Sequence, residues 1–308
     1  MFDTVLRGRP WRLPLLLILG SWASPAAAQQ EAPQAPYAGS DSCQPCHEEI
    51  YGSFRKNAHA FLDTDTGRGW TGKACESCHG PGAKHAESLA AADIRNPAKL
   101  APLEADKSCL ECHRHQATQV GRVRGGHARS LVACIQCHPI HGSEKVTLEP
   151  HPAARVNSQC AACHTDVWTS FQRPHSHRLA QGAMSCVDCH NPHGGALIRN
   201  MRVAWANEPG CLRCHGDKRG PFAFEHAPVR LEGCQSCHEP HGSANPRMLV
   251  RHETSRLCLE CHAKLPGSPG ALGGIPTGFH DLSSPRFRNC TVCHIKIHGS
   301  QVNRDFLR

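Results

Sequence analysis

Apolar residues along this chain seldom recur with a regular period. The first apolar cluster is the run Leu13–Gly20 (LPLLLILG), preceded by Arg7, Arg9 and Arg12 and followed by Ala26, Ala27 and Ala28 before Gln29. A basic start, a short apolar stretch and small residues predict a secretory signal peptide over residues 1–28, cleaved after Ala28. The run is well short of the roughly 20 residues that a membrane span needs, and no later stretch is a plausible span. No Cys lies near the cleavage point to carry a lipid, and Gly8 between Arg7 and Arg9 breaks a twin-arginine signal. Gln29–Gly39 (QQEAPQAPYAG) extends this into a disordered leader over residues 29–42. Helical pattern is local, over Glu48–His59 and Ala86–Asp93. Gly and Pro interrupt the rest, with a long loop expected at Leu265–Gly278. Alternation suited to a strand is absent, so the predicted fold class is a mostly irregular chain with short α-helices and little or no β-sheet.

The cysteines supply the order that the apolar pattern lacks. The 308 residues hold 20 Cys and 24 His but only 5% aromatic side chains, so ordinary core-forming material is scarce. Every Cys belongs to a Cys-x-x-Cys-His motif: Cys43 and Cys46, Cys75 and Cys78, Cys109 and Cys112, Cys134 and Cys137, Cys160 and Cys163, Cys186 and Cys189, Cys211 and Cys214, Cys234 and Cys237, Cys258 and Cys261, Cys290 and Cys293. The odd-numbered motifs start 66, 51, 51 and 47 residues apart, which divides a domain over 43–308 into five two-motif units, roughly 43–108, 109–159, 160–210, 211–257 and 258–308. Each unit of such an array leans mainly on its neighbours.

In this motif two thiols form thioethers to the vinyl groups of a haem, and the adjacent His becomes the proximal iron ligand. A zinc site or redox pair could explain one motif, but not ten with no Cys left over in an exported chain. A disulfide framework has no use for a His after every second Cys. The expected cofactor is therefore ten haem c, with iron held by His47, His79, His113, His138, His164, His190, His215, His238, His262 and His294. Such a chain is expected to form an elongated multihaem wire of five two-haem repeats.

The sixth ligand decides between electron transfer and catalysis, because a second His closes the iron to substrate. Each even-numbered motif has one His upstream (His59, His127, His177, His226, His280) and one downstream (His85, His141, His193, His241, His298), and these ten are the distal candidates. Only three residues separate His138 from His141, His190 from His193 and His238 from His241. A linker that short cannot pass round a porphyrin, so the downstream His is expected to ligate a neighbouring haem and staple two together. The Gly that follows (Gly142, Gly194, Gly242, Gly299) permits unusual backbone and close approach. Which distal His serves which haem stays open. His115, His151, His175 and His252 fall outside the pattern, and Met184, Met201 and Met248 do not recur by unit and are assigned to packing.

The formal charge of +8 could suggest a nucleic-acid partner. Cleavage removes three Arg and one Asp and leaves +6; with twenty propionates and ten ferric centres, the holoprotein carries roughly −4 oxidised and −14 reduced. No nucleic-acid partner is expected.

The stretches CESCHGPGAKH (Cys75–His85), CHPIHGS (Cys137–Ser143), KRGPFAFEHAPV followed by CQSCHEPHGS (Lys218–Ser243), and NCTVCHIKIHGS (Asn289–Ser300) resemble the MtrA/DmsE family of decahaem cytochromes, with the resemblance running from Asp41 to about Ser300. It implies a haem wire with little secondary structure, described in the family as two pentahaem halves. It also implies a periplasmic location at the outer membrane, inside a β-barrel porin of the MtrB type. The partners implied are an extracellular multihaem cytochrome or reductase and a periplasmic or inner-membrane quinol-linked cytochrome. The alternative is a soluble periplasmic electron shuttle or capacitor serving a reductase. A multihaem reductase enzyme is disfavoured: all ten motifs end in His, and the only Tyr residues, Tyr37 and Tyr51, lie near the N-terminal end.

Overall fold

In the computed structural model the chain divides into residues 1–35 and 36–308. The structure describes residues 36–119, 121–141, 152–195, 197–204, 208–262, 280 and 284–307. The predicted signal peptide, residues 29–35 of the predicted leader, Gly142, His151 and the predicted loop at 265–278 lie outside the described residues.

Short helices joined by turns make up the described residues, and there is no strand among them. Backbone pairing is confined to isolated bridges such as His175 with Ser243, Phe224 with Ser300, His190 with Met201 and His238 with Leu249. The mostly irregular fold expected from the sequence is the fold observed.

Local chemistry explains where the helices start and stop. The helix expected over Glu48–His59 stops early, as Glu48–Phe54, and is followed by a 3-10 helix, Ala58–Asp63. Asn57 opens the second piece, its side chain accepting from His59 N at 2.9 Å. The segment expected at Ala86–Asp93 is shifted to Ala83–Ser88, closed by Leu89 in the left-handed region at φ 57°, and then resumes as Ala91–Asp93. Three longer helices, Pro102–His113, Pro152–Ala161 and Thr254–His262, run into the motifs at Cys109, Cys160 and Cys258. Pro102 and Pro152 stand at the first helical position, where no amide hydrogen is needed.

Residues 36–42, expected to be disordered, are part of the fold. Ala38 N and Gly39 N donate to the Glu76 carboxylate at 2.8 and 2.9 Å, and Ser40 N donates to Gly72 O at 2.7 Å. Glu76 is buried inside the second motif and takes a third amide from Gly82 at 2.7 Å. A buried carboxylate needs these donors, so it fastens the segment down.

Side chains supply little of the interior. Among the described residues the buried hydrophobics larger than Ala are Phe54, Leu62, Phe171 and Leu179, while Glu76, Asp106, Arg122, Asn157 and five serines are buried polar. Phe54, Leu62 and Ala74 form one small cluster with Ala60, Trp70 and Ile140 packed on it. Proteins of this size normally close-pack an apolar core. Residues of the second to tenth motifs line a cavity of about 3720 Å³ instead, from Ser77 and Cys78 of the second to Thr291 of the tenth. Among the described residues no helix is long and apolar enough to cross a membrane.

Candidate functional site

Within each expected unit the first Cys of the odd motif meets the first Cys of the even motif. The pairs are Cys43 with Cys75, Cys109 with Cys134, Cys160 with Cys186, Cys211 with Cys234, and Cys258 with Cys290. In the last four the hydrogen bond between the thiols pushes one up and the other down. Cys160 falls to about 7 and Cys211 and Cys290 to about 6, while their partners rise. Burial raises Cys43 to about 11, with Cys75 adding to it. Units also approach one another: Cys137 lies within electrostatic reach of Cys160 and Cys163, Cys189 of Cys211 and Cys214, and Cys237 of Cys261.

A polar residue three positions before the odd motif, one helical turn back, fixes this contact in the first three units. Cys75 N donates to Ser40 Oγ at 3.4 Å, Cys134 N to Asp106 Oδ1 at 2.7 Å, and Cys186 N to Asn157 Oδ1 at 2.9 Å. Asp106 is balanced by a buried salt bridge from Arg122, whose guanidinium also donates to Val132 O at 2.7 Å. Asn157 does both jobs with one amide, donating to Leu179 O and Met184 O at 3.0 Å each. Sequence reasoning missed this set. The signal was there, since Ser40, Asp106, Asn157, Glu208 and Ser255 occupy that position in the five units.

All ten motif histidines face a second imidazole. The pairs are His47 with His85, His79 with His141, His113 with His59, His138 with His193, His164 with His127, His190 with His241, His215 with His177, His238 with His298, His262 with His226 and His294 with His280. Ring centroids are 5.8 to 6.3 Å apart throughout. Every distal candidate is used once, and His115, His175 and His252 stand in none of the ten pairs.

The pairs follow a rule. An upstream His serves the odd motif of the next unit, as His59 serves His113 and His127 serves His164. A downstream His serves the even motif of the previous unit, as His141 serves His79 and His193 serves His138. Neighbouring units therefore exchange histidines in both directions. In the first and last units His85 turns back to His47 and His280 to His294 within their own units.

The backbone holds these rings in place. His127 Nδ1 faces Pro192 O at 3.0 Å and His177 Nδ1 faces Pro240 O at 2.8 Å, and His226 bonds the Ile297 backbone. Each acceptor belongs to the residue just before the next unit's downstream His. The proximal rings of even motifs are anchored likewise, His79 on Arg95 O, His190 on Arg199 O and His238 on Arg247 O at 2.9 to 3.0 Å. Arg199 and Arg247 take left-handed backbone, φ 56° and 59°, which turns their carbonyls to the ring. Such bonds fix the proton on Nδ1 and leave Nε2 free as a metal ligand. The glycine after the downstream His is needed where it is described: Gly194, Gly242 and Gly299 have φ 96°, 135° and 144°, and a Cβ on Gly242 would lie 2.3 Å from Ser170 O.

Burial, aided by a facing histidine in each case, holds His59, His141, His193, His226 and His241 below the ordinary imidazole range. Burial does the same to His79, against the opposing bond to Arg95, and to His298, where Lys218 assists. Neutral rings are the form that binds metal.

These residues fit haem c on three counts. Two metal–nitrogen bonds of about 2.0 Å, plus roughly 1.1 Å from nitrogen to centroid in each ring, place two rings on one metal about 6.2 Å apart, and all ten pairs lie close to that value. The two thiols of each motif stand beside one ring of its pair. Finally, seven of the ten pairs line the cavity, from His59 with His113 to His238 with His298. Among the described residues no three of His, Cys, Asp and Glu converge as a zinc site would need.

Residues 177–220 and 226–267 match the family described as a doubled CXXCH motif. Over 271 residues, 85% of this chain and 78% of the relative, the chain is 35% identical to a multihaem cytochrome MtrA of Shewanella baltica (strain OS185).

Proposed function

The chain belongs to the MtrA family of multihaem cytochromes and is a haem c electron-transfer protein, and from that premise we propose that it holds ten haems and conducts electrons between periplasm and cell exterior inside an outer-membrane β-barrel of the MtrB type. The observation that carries this is the set of ten imidazole pairs, one for each motif, linked without a break from the first motif to the last. When bound, haem c supplies an iron that alternates between ferric and ferrous and so carries single electrons.

The protein's own residues do the rest. Twenty Cys would hold the haem c groups, and each motif His with its paired His would hold an iron between them, which would leave no place for substrate and argues against catalysis. Backbone carbonyls keep each anchored ring from rotating, and a ring that stays put in both oxidation states keeps reorganisation small. Ligand exchange between units fixes each motif to both neighbours, so that spacing along the relay does not depend on an apolar core. Delivery is proposed from a periplasmic or inner-membrane quinol-linked cytochrome, and receipt by an extracellular multihaem cytochrome or reductase.

Irregular backbone crosses hydrocarbon only inside a closed sheath. The protein alone should therefore fail to reduce a redox dye trapped in liposomes when dithionite is added outside, whereas the protein assembled with its barrel partner should succeed. Equal rates with and without the barrel would sink the conduit and leave a soluble periplasmic shuttle.

A further inference from the structure

The first boundary between units is built differently from the three that follow. At those, the upstream ring reaches the carbonyl before the next unit's downstream His directly, through Pro192, Pro240 and Ile297. At the first, the equivalent carbonyl is Ile140 O, and Asn57 Nδ2 takes it at 2.8 Å. Asn57 Oδ1 then faces His59 Nδ1 at 3.0 Å, while also accepting His59 N at 2.9 Å. One side-chain amide is thus inserted between ring and carbonyl.

The insertion coincides with a different ring orientation. His59 and His113 are crossed at 81°, whereas the directly anchored rings His127, His177 and His226 stand at 42°, 61° and 14° to their partners. The six remaining pairs are crossed by 44° or less. Asn57 bonds both the backbone and the ring of His59, so the ring's rotation about its χ angles is fixed from its own chain. Its Nδ2 bond fixes the amide in turn against the residue preceding His141, the partner of His79.

We propose that Asn57 is a positioning residue that holds His59 perpendicular to His113, giving the third motif the most nearly perpendicular ring pair of the ten, ahead of His177 with His215 at 61°. This rests on the assignment of His59 and His113 to one iron made above. The consequence is electronic. Parallel imidazole planes split the two π-type d orbitals of low-spin ferric iron, whereas crossed planes leave them nearly degenerate and produce a highly anisotropic paramagnetic resonance signal with a large gmax.

A plainer role exists, since Asn57 also caps the helix Ala58–Asp63, and the test separates the two. Asn57→Gly keeps most of the cap, because Gly is itself accepted at that position, but removes the amide. Asn57→Asp keeps both bonds to His59 and loses only the donation to Ile140 O. In the oxidised full-length holoprotein the large-gmax signal should account for about one of ten spins. It should persist in Asn57→Asp, and in Asn57→Gly it should give way to an ordinary rhombic low-spin signal. Intact mass should show ten haems in both variants. A parent protein without the signal, Asn57→Gly retaining it, or Asn57→Asp losing it would overturn the proposal. His59→Met distinguishes the two levels. If it abolishes the signal while Asn57→Gly does not, only the positioning role fails; a signal surviving His59→Met removes the ligand assignment itself.

Discussion

Changing His193 to Ala separates sequence proximity from ligand identity. His193 follows His190 by three residues, yet its ring faces His138, fifty-five residues earlier, at 5.9 Å, while His190 faces His241 at 6.1 Å. The variant should therefore open the iron on the Cys134–His138 motif and leave its own motif closed. One iron in ten is affected, so a tenth of the ferric spins should turn high-spin and the reduced protein should bind one carbon monoxide per ten haems. Folding should survive: the same boundary keeps its second exchanged pair, His127 with His164, and His193 Nδ1 has no hydrogen-bond partner on the protein to strand. A second deletion locates the open iron. Adding Cys134→Ala and Cys137→Ala should remove the high-spin signal with the haem that carries it, whereas adding Cys186→Ala and Cys189→Ala should leave it. The reverse result would refute the exchange of ligands between units.

Two further outcomes follow from the same geometry. Asn157→Ala strands three buried partners, Cys186 N, Leu179 O and Met184 O; at about 1–3 kcal/mol for each unmet group and allowing for relaxation, about 3 kcal/mol is lost locally. Amide exchange around Cys186 should quicken roughly 100-fold, while exposed Ser158→Ala, whose hydroxyl only returns to Ala154 O, should leave it unchanged. Burial holds seven paired histidines below the ordinary imidazole pKa of about 6.5. The unfolded chain then binds more protons than the folded one, so stability rises with pH through this range and is lost as pH falls. Acid should turn the oxidised spectrum from low-spin to high-spin; a change to high-spin on adding base would contradict this.

Much of the site could be read from the chain because haem attachment writes its ligands as a fixed local string. The distal candidates were legible through recurrence, and the three-residue gap from His190 to His193 already required that His193 serve another motif. Its partner was not legible, because ring pairing depends on how units dock. The docking contacts are single bridges, such as His175 with Ser243 and Phe224 with Ser300, too short to leave an alternating pattern. The helices at Pro102–His113 and Pro152–Ala161 were missed for a related reason: with so little apolar side chain to bury, they carry no clear apolar face. Residues 36–42 were assigned to a leader on composition, and Glu76, a carboxylate inside a motif, holds them by contacts that composition cannot register.

The matched family stretches begin at His177 and His226 and enclose an even motif with the odd motif that follows, one motif out of step with the five units drawn from the cysteine spacing. Both frames correspond to physical bonds. Odd and following even motifs lie side by side at their first cysteines and, in three units, are tied by the polar residue a turn earlier. Even and following odd motifs are joined by exchanged histidines, and a stretch such as 177–220 holds both His177 and its partner His215. In the first three units each device covers the boundary the other leaves open. For a chain with few buried apolar side chains this matters, since a boundary held by packing alone would be the first to open. In the first and last units His85 and His280 close on His47 and His294. The rings at the two ends are thereby paired as fully as the internal ones, and in the proposed relay neither terminal haem would offer an open coordination site.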